Sequence, residues 1–129
     1  LLFCKSQPNF IMSESYTLGQ VAEQKAVNYL KEMNYIVLEQ NYRYRKAEID
    51  IIAQKDNFIV CIEVKARSSF YFGMPESFVS CKIWFIGYAM DAYVQKNNLT
   101  LEVRFDIITY LVENEIWTRD HINDAFYHS

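Results

Sequence analysis

Several features that commonly identify a protein class are missing from this sequence. Its three cysteines, Cys4, Cys61 and Cys81, form no C-x-x-C pair, and its two histidines lack the spacing of zinc ligands. We therefore expect neither a disulfide framework nor a structural zinc site, and a reducing, cytoplasmic environment fits best. The stretch 1–5 has no basic leader and no long apolar run, so it predicts no signal peptide and no association with a membrane.

An excess of positive charge is missing as well. The formal net charge is −3 and the pI is near 5.4, which argues against strong nonspecific DNA binding, because phosphate binding depends on clustered Lys and Arg. Basic residues nevertheless gather in the middle of the chain: Arg43, Arg45, Lys46, Lys65 and Arg67. Contact with a phosphate backbone and a solvated connection between strands are equally good interpretations of the first three.

No repeat, linker or low-complexity segment divides the chain. A length of 129 residues suits one domain, and 51% hydrophobic with 16% aromatic residues can build a core without a metal or a disulfide. Met12 is a candidate natural start. We therefore predict an N-terminal extension over 1–12 and a single domain over 13–129.

Two neighbouring segments have the period of two that is typical of β-strands. The first is 47–53 and carries Asp50, and the second is 58–65 and carries Glu63 and Lys65. The face of these charged residues also holds Glu48, Ile52, Ile59 and Cys61. The predicted core face consists of Ile49, Ile51, Ala53, Phe58, Val60, Ile62 and Val64.

A tight turn between these strands makes them antiparallel, which brings Asp50 and Glu63 together if the register is favourable. Two carboxylates at roughly 4 Å repel by about 1 kcal/mol in water and by more where water is scarce, so a hard cation with oxygen ligands would stabilise them. The alternative is a wet sheet face with ordinary charges. The apolar neighbours on the same face indicate instead that these charged residues lie at the rim of a covered surface.

A helix is predicted over 17–33, with Ser15 or Thr17 as its N-cap and Asn34 as its stop. Glu23 lies at the edge of the apolar stripe of this helix, where its side chain can reach toward the sheet. It is either a third acid of the same site or an ordinary boundary residue.

The second half of the chain predicts a helix over 80–96, a strand over 101–111 and a short strand over 116–118. Arg104 and Asp106 either form an ion pair or return toward the site, and a structural role is the favoured interpretation of Asp106. The whole order, αβββαβ with a short C-terminal strand, predicts an α/β domain with a mixed central sheet flanked by helices.

Apolar residues cover well over half the circumference of the predicted helix 80–96. One sheet cannot bury all of them, so the helix is either sandwiched in the core or shares its excess face with a second subunit. A homodimer is the favoured interpretation.

Several separated motifs follow one another along the chain: Asn41-Tyr42-Arg43, Glu48-Ile49-Asp50-Ile51-Ile52-Ala53, Glu63-Val64-Lys65-Ala66-Arg67, Gly73-x-Pro75-x-Ser77, Lys82, Arg104-Phe105-Asp106-Ile107-Ile108 and His121-Ile122-x-Asp124-Ala125-Phe126. In this order they resemble the YraN family of bacterial proteins, which is related to Holliday-junction resolvases. The helix with Glu23, the strand with Asp50 and the Glu63-x-Lys65 arrangement are similar to the core of the PD-(D/E)xK nucleases. The proline of that name is absent, and Ala47, Trp84 and Phe85 depart from the family pattern.

The resemblance implies a restriction-endonuclease-like sheet and Mg²⁺- or Mn²⁺-dependent hydrolysis of DNA, with branched or junction DNA as a candidate substrate. Asp50, Glu63 and the carbonyl of Val64 would bind the metal, Glu23 would contact it directly or through water, and Lys65 would activate the attacking water. The implied DNA contacts are Arg43, Arg45, Lys46, Arg67 and Lys82. A nuclease-like fold that binds nucleic acid or protein without turnover is the alternative.

Overall fold

The computed structural model describes residues 13–68 and 76–125, with the backbone alone at 13–16 and 76–83. Within these residues, five strands form one mixed sheet in the order β1-β2-β3-β4-β5, and only its β3–β4 pair is parallel. The predicted α/β architecture is thereby confirmed. The elements in chain order are α1 (Ser13–Glu32), β1 (Ile36–Tyr44), β2 (Ala47–Lys55), β3 (Phe58–Ser68), α2 (Glu76–Lys96), β4 (Glu102–Glu113) and β5 (Ile116–Ile122).

The connections follow from strand direction. Antiparallel neighbours are joined by short turns, whereas the parallel pair β3 and β4 needs a crossover, which α2 provides. The predicted stop of α1 is correct: Asn34 has a φ of 69°, and Tyr35 N–H donates to the Leu30 carbonyl at 2.9 Å. This is a Schellman-type ending, in which an asparagine accepts the left-handed conformation and the next residue packs back on the helix.

The two helices pack on opposite faces of the sheet. Alternate residues of a strand point to opposite faces, so the strands contribute side chains to both packed layers. The α1 face is built from Ala22, Ala26, Val27, Leu30, Tyr35, Ile51, Ala53, Val60, Ile62, Val64, Ile108 and Tyr110. The α2 face is built from Ala47, Ile49, Ile52, Ile59, Cys61, Ile86, Ala89, Met90 and Tyr93. Cys61 is therefore a core residue on the α2 side.

Several predicted helices and strands were too short. α1 begins at Ser13 rather than at 17, α2 begins at Glu76 rather than at 80, and β5 continues to Ile122. Capping-type residues recur at positions 13, 15 and 17, so composition does not select one helix start among them.

One predicted face was wrong. Ile49 packs on the α2 side, whereas Ile51 packs on the α1 side, so strict alternation fails between them. The partners of these two residues on β1 flank Asn41, which has a φ of 53°. A left-handed residue interrupts the pleat, and Asp50 lies opposite this irregularity.

None of the helices within the described residues is long and apolar enough to cross a lipid bilayer.

Candidate functional site

β2 and β3 separate at Asp50. Their backbone pairing ends with Ile51 opposite Ile62, so the next residues along that register are Asp50 and Glu63, as the hairpin prediction required. Asp50 Oδ2 accepts a 2.9 Å hydrogen bond from the Val64 N–H. The side chain thus provides an acceptor where strand pairing has stopped. We call this place the fork, and it comprises Asp50, Glu63, Val64 and Lys65.

Glu63 and Lys65 lie on either side of Val64 in β3. Glu63 is only 7% exposed, and Lys65 Nζ lies 3.3 Å from its Oε2. A buried carboxylate is costly without a compensating charge, and the Lys65 ammonium supplies one. The structure therefore places Asp50 of β2 beside the short β3 segment that carries Glu63 and Lys65.

Glu23 approaches this region from α1. It is half-buried, beside the fully buried Ala22. Burial raises the pKa of Glu23, and the negative charges of Glu48 and Glu63 raise it further. Glu23 is thus within electrostatic reach of the fork, on the helix side.

The donor set of the fork suits a hard cation. Carboxylate and backbone carbonyl oxygens are the ligands that Mg²⁺ and Mn²⁺ prefer, and the three acids Glu23, Asp50 and Glu63 exceed the one ammonium of Lys65 in charge. Within 13–68 and 76–125, no three His, Cys, Asp or Glu side chains are arranged to hold an ion directly. The fit therefore requires the Val64 carbonyl or water molecules among the ligands.

The predicted DNA-binding residues fall into two groups. Arg43 lies in β1, where its Nη2 is 3.6 Å from Glu48 Oε1 and both side chains are exposed; Arg45 and Lys46 form the following turn, with a φ of 58° at Arg45. Arg67 is partly buried in β3, beyond Lys65. The side chain of Lys82 and residues 69–75 lie outside the described residues.

A buried polar network was not predicted as a unit, although the Arg104–Asp106 pair within it was predicted and His121 belongs to one of the matching motifs. Asp106 is 1% exposed; it accepts hydrogen bonds from Arg104 at 2.8 and 2.9 Å, and its Oδ2 lies 2.8 Å from His121 Nε2. Two tyrosines complete the network: the Tyr29 hydroxyl is 2.8 Å from His121 Nδ1, and Arg104 donates to the Tyr35 hydroxyl at 2.8 Å.

The position of this network explains why it was missed. Its residues come from α1, the loop before β1, β4 and β5, and only the strand pairing brings His121 beside Ile108. The Arg-x-Asp spacing, which places both side chains on one strand face, was the available signal. The expected Arg104–Asp106 ion pair is confirmed.

Comparison with known proteins identifies the family. Residues 22–110 match the model described as "Uncharacterised protein family UPF0102". A UPF0102 protein of Flavobacterium psychrophilum is 47% identical over 118 residues, which is 91% of this chain and 99% of that protein. UPF0102 proteins of Christiangramia forsetii, at 45% over 119 residues, and of Bacteroides thetaiotaomicron, at 43% over 117, cover 91% and 90% of this chain and 99% and 97% of their own lengths. The chain therefore belongs to the UPF0102 family, to which the YraN-like motifs pointed.

Proposed function

We propose that this protein is a Mg²⁺-dependent endonuclease that hydrolyses phosphodiester bonds in DNA. The observation that carries the proposal is the fork, where the Asp50 carboxylate binds the Val64 N–H and Lys65 contacts Glu63. An Asp, a Glu and a Lys in such proximity combine metal ligands with a group that can act on water. The raised pKa of Glu23, caused first by burial and then by the charges of Glu48 and Glu63, supports a third acid near the fork.

In this proposal each residue of the fork has a separate task. Asp50, Glu63 and the Val64 carbonyl would hold the metal, and Glu23 would contact it directly or through water. A bound Mg²⁺ supplies Lewis-acid polarisation of the phosphodiester and neutralises charge in the transition state. Lys65 orients the attacking water through Nζ and assists its deprotonation.

Cleavage assays with matched variants test the proposal. Asp50→Asn, Glu63→Gln and Lys65→Ala should each lower the rate on junction, flap or linear DNA by about 100-fold or more with Mg²⁺ present, which is the scale of losing a positioned acid or base. The control Asp56→Asn changes the same chemical group at the other end of β2, where Asp56 is exposed in the β2–β3 turn with a φ of 54°, so it should cleave like the wild type. Equal cleavage by all variants would assign the activity to another site or to a contaminant.

A second candidate is a binding module that keeps the nuclease-like fold without turnover. The absence of a preassembled group of three ligating side chains among the described residues favours it, as does the net charge of −3. It predicts DNA binding that is equal with and without Mg²⁺ and no cleavage by purified wild type. Metal-dependent cleavage that is lost in Asp50→Asn would exclude it.

A further inference from the structure

A cleft lies between the β1–β2 turn and α2, apart from the side chains of the fork. Its volume is about 540 Å³, and its walls include Tyr44, Arg45, Lys46, Phe85, Tyr88 and Asp91. The cleft is at the same end of the sheet as the fork, because the turn directly precedes Ala47 and Asp50 is three residues further along β2. Three residues of strand span about 10 Å, which is within the reach of one or two nucleotides.

Flat aromatic surfaces form one wall of the cleft. Tyr88 is 59% exposed and Phe85 is 38% exposed, and the Tyr88 ring centroid lies 5.4 Å from that of Trp84, which is 66% exposed. These rings are not required for the packing of α2 on the sheet, because α2 contacts the sheet through Ile86, Ala89, Met90 and Tyr93. Exposed, adjacent aromatic rings of this kind provide stacking surfaces for bases, all of which have a π-face.

Positive charge forms the opposite wall. Arg45 and Lys46 are both exposed in the turn, and the Arg45 guanidinium carbon lies 5.2 Å from the Tyr44 ring centroid. A cation over an aromatic ring is held in place partly by the ring quadrupole. On the α2 side, Asp91 Oδ2 accepts a hydrogen bond from Gln95 Nε2 at 3.1 Å, and such oxygens are acceptors for exocyclic amino groups of bases.

We infer that this cleft binds an unpaired nucleotide of single-stranded DNA, with its base on Phe85 and Tyr88 and its phosphate at Arg45 and Lys46. The inference rests on the proposed function for its connection to cleavage, since it places a single-stranded flank beside the fork. A second copy of the chain fits the cleft less well, because the buried centre of a protein interface is depleted of charge, whereas three charged residues line this one.

Binding of base-containing and abasic strands separates stacking from simple charge attraction. The probe is a fluorescent mixed-sequence single strand of about 12 nucleotides, measured by anisotropy against an abasic strand of equal length and charge. The measurement uses the Asp50→Asn protein without metal, because this protein should bind the labelled strands without cleaving them. We expect the base-containing strand to bind about tenfold more tightly than the abasic one.

Variants at Tyr88 assign that preference to the cleft. Tyr88→Leu keeps apolar bulk but removes the flat ring, and it should reduce the preference for bases about tenfold, whereas Tyr88→Phe should keep it. Arg45→Gln should weaken both strands alike, because it removes a phosphate contact. Unchanged thermal melting shows that each variant is folded.

Three results would overturn the inference. The first is equal binding of the base-containing and abasic strands by the Asp50→Asn protein. The second is a base preference that Tyr88→Leu leaves unaltered. The third is a dimer, detected by light scattering, that is lost in Tyr88→Leu while no base preference exists, which would make the cleft an interface between copies. Failure of the proposed function appears differently, as absent cleavage with a preserved base preference.

Discussion

At the scale of single residues, the fork brings negatively charged side chains close together at a partly buried place in the sheet. Glu63 is buried. Burial is the largest cause of the raised pKa of Glu23, and the charges of Glu48 and then Glu63 raise it further. The hairpin register predicted that Asp50 and Glu63 lie side by side, whereas the strict alternation assumed for β2 fails at Asp50. The electrostatic coupling could not be predicted, because it depends on how α1 packs. Small residues decide that packing: Ala22 and Ala26 are fully buried and let the helix approach the sheet.

Glu23→Gln should make the metal-free protein more stable at neutral pH. A carboxyl whose folded pKa is raised stabilises the fold below its unfolded pKa, near 4.5, and this contribution is lost as the pH rises through the folded pKa. The gain in the free energy of unfolding should therefore be present at pH 7 and vanish at about pH 4. Urea unfolding of wild type and variant across that range measures it.

The matched control for this prediction is Glu32→Gln, since Glu32 is exposed near the end of the same helix. A gain of similar size and pH dependence in both variants would show that the effect comes from overall charge. Burial and the neighbouring acids at Glu23 would then be irrelevant to it.

At the scale of elements, the buried network joins four parts of the chain that local sequence patterns treat separately. Tyr29 belongs to α1, Asp106 to β4 and His121 to β5, and Tyr35 precedes β1. Alternation and capping predicted the individual elements and most of their order, because those signals are local. Contacts between α1 and β5 depend on long-range strand pairing, so they could not be predicted from the same patterns.

Asp106→Asn should destabilise the protein by roughly 3 kcal/mol, since it leaves the Arg104 charge inside the network without its carboxylate. Burial alone would raise the pKa of Asp106, but the hydrogen bonds that it accepts, first from His121, outweigh burial and lower the pKa. A lowered pKa stabilises the fold above the ordinary value of 3.8, and this contribution is lost as the pH falls through the folded pKa.

Urea unfolding at neutral and acidic pH checks this prediction. The difference between wild type and Asp106→Asn should be largest at neutral pH and should shrink below about pH 4. Asp120→Asn is the control, because Asp120 is exposed on β5. A loss below about 1 kcal/mol for Asp106→Asn would show that the network contributes no more than a surface ion pair.

At the scale of the whole molecule, an acidic chain carries its exposed basic turn and aromatic helix face at one end of the sheet. Arg45 and Lys46 lie beside Tyr88 in the cleft, and the fork lies a few residues further along β2. The sequence predicted the basic group and the aromatic excess of α2 separately. It could not show that they meet, because the crossover from β3 to β4 alone places α2 against the β1–β2 turn.

Titration of Mn²⁺ into the protein, followed by the electron paramagnetic resonance signal of the free ion, tests the central claim most directly, because it needs no knowledge of the substrate. The wild type and Asp56→Asn should bind Mn²⁺ alike, and Asp50→Asn should bind at least about tenfold more weakly, as expected when a group that holds or orients a metal is changed. Equal binding by all three proteins, or no binding by the wild type, would contradict the assignment of the fork as a metal site.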